Sequence, residues 1–141
     1  MPILIKTGPL KPDAAAGAVV AFKEKAYREP VFGAQDHAFI WVDGSGTGGK
    51  DSNLFAEGMV VGEPRFEDPG RSDSAIYVKV VLTRLHPKAP LNYMTDIRPY
   101  RDDPSDRLLH GLAEVICKHA HRKVTALTPA QAAFLRSRFD S

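Results

Sequence analysis

Residues 35–66 have the sequence QDHAFIWVDGSGTGGKDSNLFAEGMVVGEPRF, and this stretch decides the fold. An apolar run, Ala38 to Val42, leads into glycines and small polar residues from Gly44 to Asn53, and a second apolar run, Leu54 to Val61, follows them. β-Prone residues fill both apolar runs, whereas the glycine-rich middle does not favour regular structure. We therefore expect two strands joined by a long exposed loop, with the single tryptophan, Trp41, at its entrance.

Length and composition indicate one domain spanning residues 1–141. The chain has 141 residues and is 43% hydrophobic, which is enough apolar material for one globular core. No apolar run approaches the length that crosses a bilayer, and residues 1–6 are too short and too soon charged for a signal peptide. The single cysteine, Cys117, excludes an internal disulfide and favours a reducing, cytoplasmic setting.

The charge is nearly balanced overall but is unevenly distributed. The formal net charge is +2, with 6 basic and 8 acidic side chains in residues 1–64 against 13 and 9 in residues 65–141. A polyanion would therefore prefer surfaces built by the second half of the chain. This bias gives only weak support for nucleic-acid binding.

Periodicity predicts three helices and further strands around the central pair. Ala15, Val19, Phe22 and Ala26 lie at the spacing of one helix face, and Thr128 begins a capping box for the last helix. The predicted helices cover residues 12–28, 106–120 and 128–139. Further strands are predicted at residues 2–6, 75–85 and 123–127.

Two patterns in the sequence resemble ligand motifs, and both have simpler explanations. Gly44 to Lys50 has the glycines and lysine of a phosphate-binding loop, but Asp51 replaces the required hydroxyl residue and a β-prone run follows it. The second helix carries a stripe of possible zinc ligands: His110, Glu114, Cys117 and His121. Four ligands along one straight helix cannot enclose a single ion. We therefore expect no bound metal and no cofactor.

The sequence gives little support for catalysis. Its serines lie in loops without a nucleophile-elbow pattern, and Cys117 lacks an evident electropositive helix start that would lower its thiol pKa. One enzymatic alternative remains, in which Asp102 or Asp103 acts with His86 or His110 in a small hydrolase.

Aromatic and basic residues point instead to a binding module. Strand alternation places Phe39 and Trp41 on one face of their strand, and an indole near small polar side chains suits stacking on a base. The alternative is that Trp41 caps the core. Three cations near the end of the second helix could complement its dipole or contact phosphates: Lys118, Arg122 and Lys123.

The central stretch resembles EVE domains, which belong to the PUA-like group together with YTH and ASCH domains. The resemblance rests on QDHAFIW at residues 35–41, the glycine-rich loop, and LFAEGMVVGEP at residues 54–64. Residues 77–85 and the Leu127-Thr128-Pro129 helix start also fit. The first strand lacks the tryptophan and the following serine that many EVE domains have, which leaves one pocket wall unassigned.

This resemblance implies an α+β fold, namely a mixed, partly closed β-barrel of about six strands with helices packed outside. It also implies a non-catalytic module that accepts a flipped, modified base from DNA or RNA. Its stacking platform would be Trp41. The other base-pocket candidates are Ser45, Asn53, Phe55 and Arg98, and Arg101 joins the phosphate-binding candidates. A protein-interaction module is a further alternative, in which Trp41 would be buried.

Overall fold

The computed structural model describes residues 1–8, 15–26, 30–43, 52–71, 74–85, 91–117 and 122–140. Its strands are β1 (Ile3–Thr7), β2 (Val19–Ala26), β3 (His37–Val42), β4 (Asn53–Val60), β5 (Arg65–Phe66), β6 (Ala75–Leu85) and β7 (Lys123–Ala126). Its α-helices are α1 (Arg107–Cys117) and α2 (Pro129–Phe139), and a π-helical turn at Tyr93–Ile97 precedes a 3₁₀ turn at Arg98–Tyr100.

Six of these strands form a closed, mixed barrel. The strand order is β2-β7-β1-β3-β4-β6, and pairing of β2 with β6 closes the sheet, while β5 adds to the outer edge of β6. The β1–β3 and β2–β7 pairs are parallel, and the remaining pairs are antiparallel. The predicted α+β barrel of about six strands is confirmed, and the barrel is closed where partial closure was expected.

The alternation along the strands separates two apolar cores. Inside the barrel lie Ile3, Ile5, Ala38, Ile40, Ile76, Val78, Val80, Leu82 and Val124, among others. Between the barrel and the helices lie Leu4, Phe39, Trp41, Leu54, Leu112, Ile116, Leu127 and Leu135, among others. Phe39 and Trp41 therefore share a face, as the alternation predicted, and that face packs against the helices.

The predicted helix at residues 12–28 is wrong where the structure describes it, because residues 19–26 form β2. Gly17 has a φ of +90°, a left-handed conformation that ends any helix entering from residue 15. Seven consecutive residue pairs join β2 to β6, and this pairing closes the barrel. Phe22 and Ala26 also lie at even spacings with Val20 and therefore fit one face of a strand, and tertiary pairing decided between the two periods.

The other two predicted helices are confirmed within the described residues. Thr128 and Gln131 form the expected capping box at the start of α2. In the part of the chain that the structure describes, no helix is long and apolar enough to span a membrane.

A buried carboxylate fixes α2 against the barrel. Glu57 on β4 is only 4% exposed, and it accepts hydrogen bonds from Arg84 Nε at 3.0 Å and Nη2 at 2.6 Å. Its other oxygen accepts from Arg136 Nε on α2 at 3.0 Å. Both carboxylate oxygens are thus bonded to guanidinium groups, as a buried charge requires.

Candidate binding site at the barrel mouth

Trp41 is a core residue in this structure. Its side chain is fully buried between the barrel and the helices, and its indole Nε1 donates a 2.7 Å hydrogen bond to Ser52 Oγ. A ring with no exposed face cannot stack on a base without a rearrangement of the core. The expectation of Trp41 as an open stacking platform is therefore corrected, because β3 alternation directs it under the helices.

A chain of hydrogen bonds connects Trp41 to the surface. Ser52, the partner of the indole, accepts at its carbonyl from the backbone N–H of Tyr93 at 2.8 Å. The Tyr93 hydroxyl in turn accepts from Cys117 Sγ at 3.0 Å. Burial, reinforced by the contact with Cys117, raises the pKa of the Tyr93 phenol. Trp41 therefore supports this wall of the barrel and the half-buried Tyr93 that lies against it.

The other base-pocket candidates lie in different surroundings. Asn53 is half-buried at the start of β4, and its Oδ1 accepts from Asn92 Nδ2 at 2.7 Å. Arg98 is exposed and its Nη1 lies 3.6 Å from Met94 Sδ. Ser45 lies outside the described residues.

The four phosphate-binding candidates divide similarly. Arg101 is exposed, Arg122 lies at the start of β7, and Lys118 lies outside the described residues. Lys123 is only 1% exposed, because β7 alternation places it beneath α1 beside Lys6. This burial contradicts a phosphate contact for Lys123 in the described conformation.

Phe55, by contrast, lies at the end of the barrel where β3 ends and β4 begins. The register between β3 and β4 shifts next to Ile40 and Trp41, and Phe55 is the extra residue of this bulge. Its half-buried ring packs on the barrel interior together with Val42. An aromatic ring and an aliphatic side chain therefore form the apolar side of this end of the barrel.

The polar side of the same end of the barrel is formed by three residues: Thr7, Glu24 and Arg122. Thr7 on β1 continues the inward series of Ile3 and Ile5, and Glu24 on β2 continues that of Phe22. The Thr7 side chain is hydrogen-bonded to Glu24, whose carboxylate also feels the charge of Arg122. We call these three residues, together with Val42 and Phe55, the barrel mouth.

The strand register gives the spacing of residues along this end of the barrel. Thr7 pairs with Val42, and Val42 pairs with Asn53, so the three residues lie in one row across β1, β3 and β4. Neighbouring strands are about 4.8 Å apart, which separates Thr7 from Asn53 by roughly 10 Å. Apolar and polar side chains therefore lie on different sides of this end of the barrel, with the Asn53 amide beside them.

The barrel mouth has a defined charge. Arg122 extends over the end of β1, where a Cβ at Gly8 would lie 2.8 Å from the guanidinium Cζ. Burial raises the pKa of the Glu24 carboxyl, while the Thr7 hydrogen bond and the Arg122 charge act in the opposite direction. The Arg122 guanidinium and the Glu24 carboxyl therefore lie near each other at this end of the barrel.

Among the described residues, those considered for catalysis and for metal binding do not form a recognisable centre. His110 Nδ1 lies 2.8 Å from the Tyr100 carbonyl, and Asp103 Oδ1 accepts from the Ser105 N–H in a local turn. Among the described residues, no three His, Cys, Asp or Glu side chains are placed to hold a metal ion. His86 and His121 lie outside the described residues.

Two surface clefts lie away from the sequence-predicted residues. One, of about 440 Å³, is lined by Pro30, Val31, Phe32, Pro64, Phe66, Pro69, Gly70 and Arg71. The other, of about 570 Å³, lies on the outer face of β2 and β6 beside Tyr77. The Tyr77 ring is already in contact with two cations. Lys23 Nζ lies 5.2 Å and Arg65 Cζ lies 4.6 Å from the centroid of the ring. The face of Tyr77 is therefore already covered by two cations.

Sequence reasoning missed Glu24, Thr7 and Tyr93 as site residues. Glu24 lies within residues 12–28, which were predicted as a helix, whereas residues 19–26 form β2. The available signal was a single carboxylate in a series of inward positions with spacing two, between Phe22 and Ala26. Tyr93 lies in a proline-rich segment without periodicity, so only the fold brings it to Cys117.

Comparisons with known proteins support the fold alone. No family model matches the chain, and no curated protein sequence matches it. The chain is similar in structure to a Pseudomonas putida protein solved by X-ray crystallography as a target of the Northeast Structural Genomics Consortium. The TM-score is 0.56 at 14% sequence identity, and the match covers 98% of this chain and 99% of the other.

Proposed function

We propose that this protein is a nucleic-acid-binding module of the PUA-like type, which accepts a single flipped base of DNA or RNA at the barrel mouth. The observation that carries the proposal is the division of the mouth into an apolar side, Val42 and Phe55, and a polar side, Thr7, Glu24 and Arg122. A nucleobase has the same two features, an apolar face and a polar edge.

The parts of the site would divide the work of recognition. Phe55 would contact the face of the base, and base–aromatic stacking contributes ~1–3 kcal/mol per base. Arg122, Arg101 and Arg98 would contact phosphates or the base edge. Trp41 would hold the wall without touching the ligand. A modified base, which the resemblance to EVE domains implies, would extend into the same opening.

Fluorescence anisotropy with short labelled oligonucleotides tests this proposal. The panel contains single-stranded and duplex DNA and RNA, with plain and modified bases. Phe55→Leu keeps an apolar side chain but removes the ring, and we expect it to weaken binding by roughly 5- to 100-fold. Arg122→Gln should weaken all sequences alike and reduce the salt slope by about 1 if it meets a phosphate.

Lys79→Gln is the matched control, because it removes the same charge from the exposed outer face of β6. It should bind as the parent does. The proposal fails if the folded parent binds no member of the panel. It also fails if Phe55→Leu and Arg122→Gln, both folded, bind as well as Lys79→Gln.

A protein-interaction module is the second candidate function, and burial of Trp41 is what that alternative expects. The apolar cleft beside Val31, which is 81% exposed, would then contact an apolar segment of a partner protein. Val31→Asp should abolish such an interaction and leave oligonucleotide binding unchanged.

A further inference from the structure

Glu24 is a carboxylate among apolar neighbours inside the barrel. Its inward neighbours on β2, Val20, Phe22 and Ala26, all pack on the interior core. Its pairing partner on β6 is Ile76, which is fully buried. A carboxylate in this position loses hydration, and that loss must be offset by hydrogen bonds.

One oxygen of Glu24 lacks such a bond. Oε2 is buried and has no hydrogen-bond partner among the described residues, although the carboxyl is hydrogen-bonded to Thr7. Leaving a buried acceptor unsatisfied costs about 1–3 kcal/mol, and more for a charged group. A buried acceptor without a partner at this end of the barrel is therefore a candidate contact for a ligand.

Glu57 is a buried carboxylate with which Glu24 can be compared. It is buried on β4 and both of its oxygens accept from arginines, Oε2 from Arg84 and Oε1 from Arg136. Glu24 differs because one oxygen is unpaired and because it faces the barrel mouth. The contrast between the two carboxylates favours a recognition role for Glu24.

We infer that Glu24 Oε2 accepts a hydrogen bond from an N–H group on the edge of the bound base, so the barrel mouth selects bases that carry an amino group there. This inference rests on the proposed function. Cytosine presents an N4 amino donor where uracil presents an O4 acceptor, and adenine and hypoxanthine differ in the same way at position 6. Burial raises the pKa of the Glu24 carboxyl, and the charge of the neighbouring Arg122 acts in the opposite direction, toward the ionised, accepting form.

The test measures the affinity of pairs of short oligonucleotides that differ at one base. One pair has cytosine or uracil in otherwise identical DNA and RNA, and the other has adenine or hypoxanthine. We expect the parent protein to bind the amino-bearing member about 5- to 100-fold more tightly, the discrimination typical of a good polar contact to a base edge. Glu24→Gln should abolish or reverse this ratio, because its amide can donate to a carbonyl oxygen.

Glu67→Gln is the matched control, since Glu67 is exposed on the outer face and pairs with Lys23 at 3.5 Å. It should keep the parent ratio. This inference would be overturned if the parent bound both members of a pair equally, or if Glu24→Gln kept the affinity ratio of the parent. In either case, binding of the oligonucleotides would leave the proposed function standing. If Glu24→Gln does not fold, the parent ratio alone decides. Absence of any binding by the folded parent would overturn both.

Discussion

Replacement of Trp41 by phenylalanine tests the central correction that the structure makes. The indole is fully buried and donates a 2.7 Å hydrogen bond to Ser52 Oγ, which is itself buried. Trp41→Phe leaves that hydroxyl without its donor, which costs about 1–3 kcal/mol, and the smaller ring leaves a void in the outer core. We expect a total loss of about 2–4 kcal/mol in the free energy of unfolding.

Urea denaturation followed by circular dichroism measures this loss. In a thermal melt of a domain of this size, about 3 °C of melting temperature corresponds to 1 kcal/mol, so the melting temperature should fall by roughly 6–12 °C. Ser52→Ala removes the acceptor and keeps the indole. The double variant should therefore lose less stability than the sum of the two single losses, because the two side chains share one bond.

The opposite result has a clear form. A stacking platform exposed to solvent would tolerate the phenylalanine within about 0.5 kcal/mol, as surface positions usually do. The fluorescence of the parent protein would then also be quenched by iodide as readily as that of a free indole. Either observation would refute the placement of Trp41 in the core.

Three further changes have distinct expected outcomes. Gly58→Ala should lose about 1–3 kcal/mol of stability in urea denaturation, because its Cβ would lie 2.5 Å from the Val81 carbonyl oxygen; an unchanged midpoint would contradict this packing. Glu57→Gln should lower the free energy of unfolding by about 1–3 kcal/mol. This loss is smaller than that for breaking a fully buried ion pair, because Arg84 is about one-third exposed and can be hydrated. A gain in stability would show that the ion pair is unfavourable. Burial raises the folded-state pKa of the Glu24 carboxyl. The free energy of unfolding should therefore fall as pH rises from the ordinary glutamate pKa through the raised one, and Glu24→Gln should remove this pH dependence. The same pH dependence in the parent and in Glu24→Gln would show that the carboxyl titrates normally.

Most of the fold follows from local patterns in the sequence. The alternation at residues 75–85 predicts β6 with its bounds and its buried face, because a period of two in β-branched residues fits only a half-buried strand. Thr128 and Gln131 likewise determine the start of α2 through their own hydrogen bonds. Both signals are local, since each depends on residues that are close together in the sequence.

Only the tertiary structure decided that residues 19–26 form a strand and that the side chains of Trp41 and Glu24 face the cores of the protein. The apolar residues of 19–26 satisfy both a helical and a strand period, and the pairing with β6 that closes the barrel selected the strand. That choice directs Glu24 toward the barrel interior, opposite the buried Ile76. Alternation placed Trp41 on one face of β3, but whether that face met solvent or helices depended on α1 and α2, far along the chain. A residue's face is a local property, whereas what covers that face is determined by long-range packing.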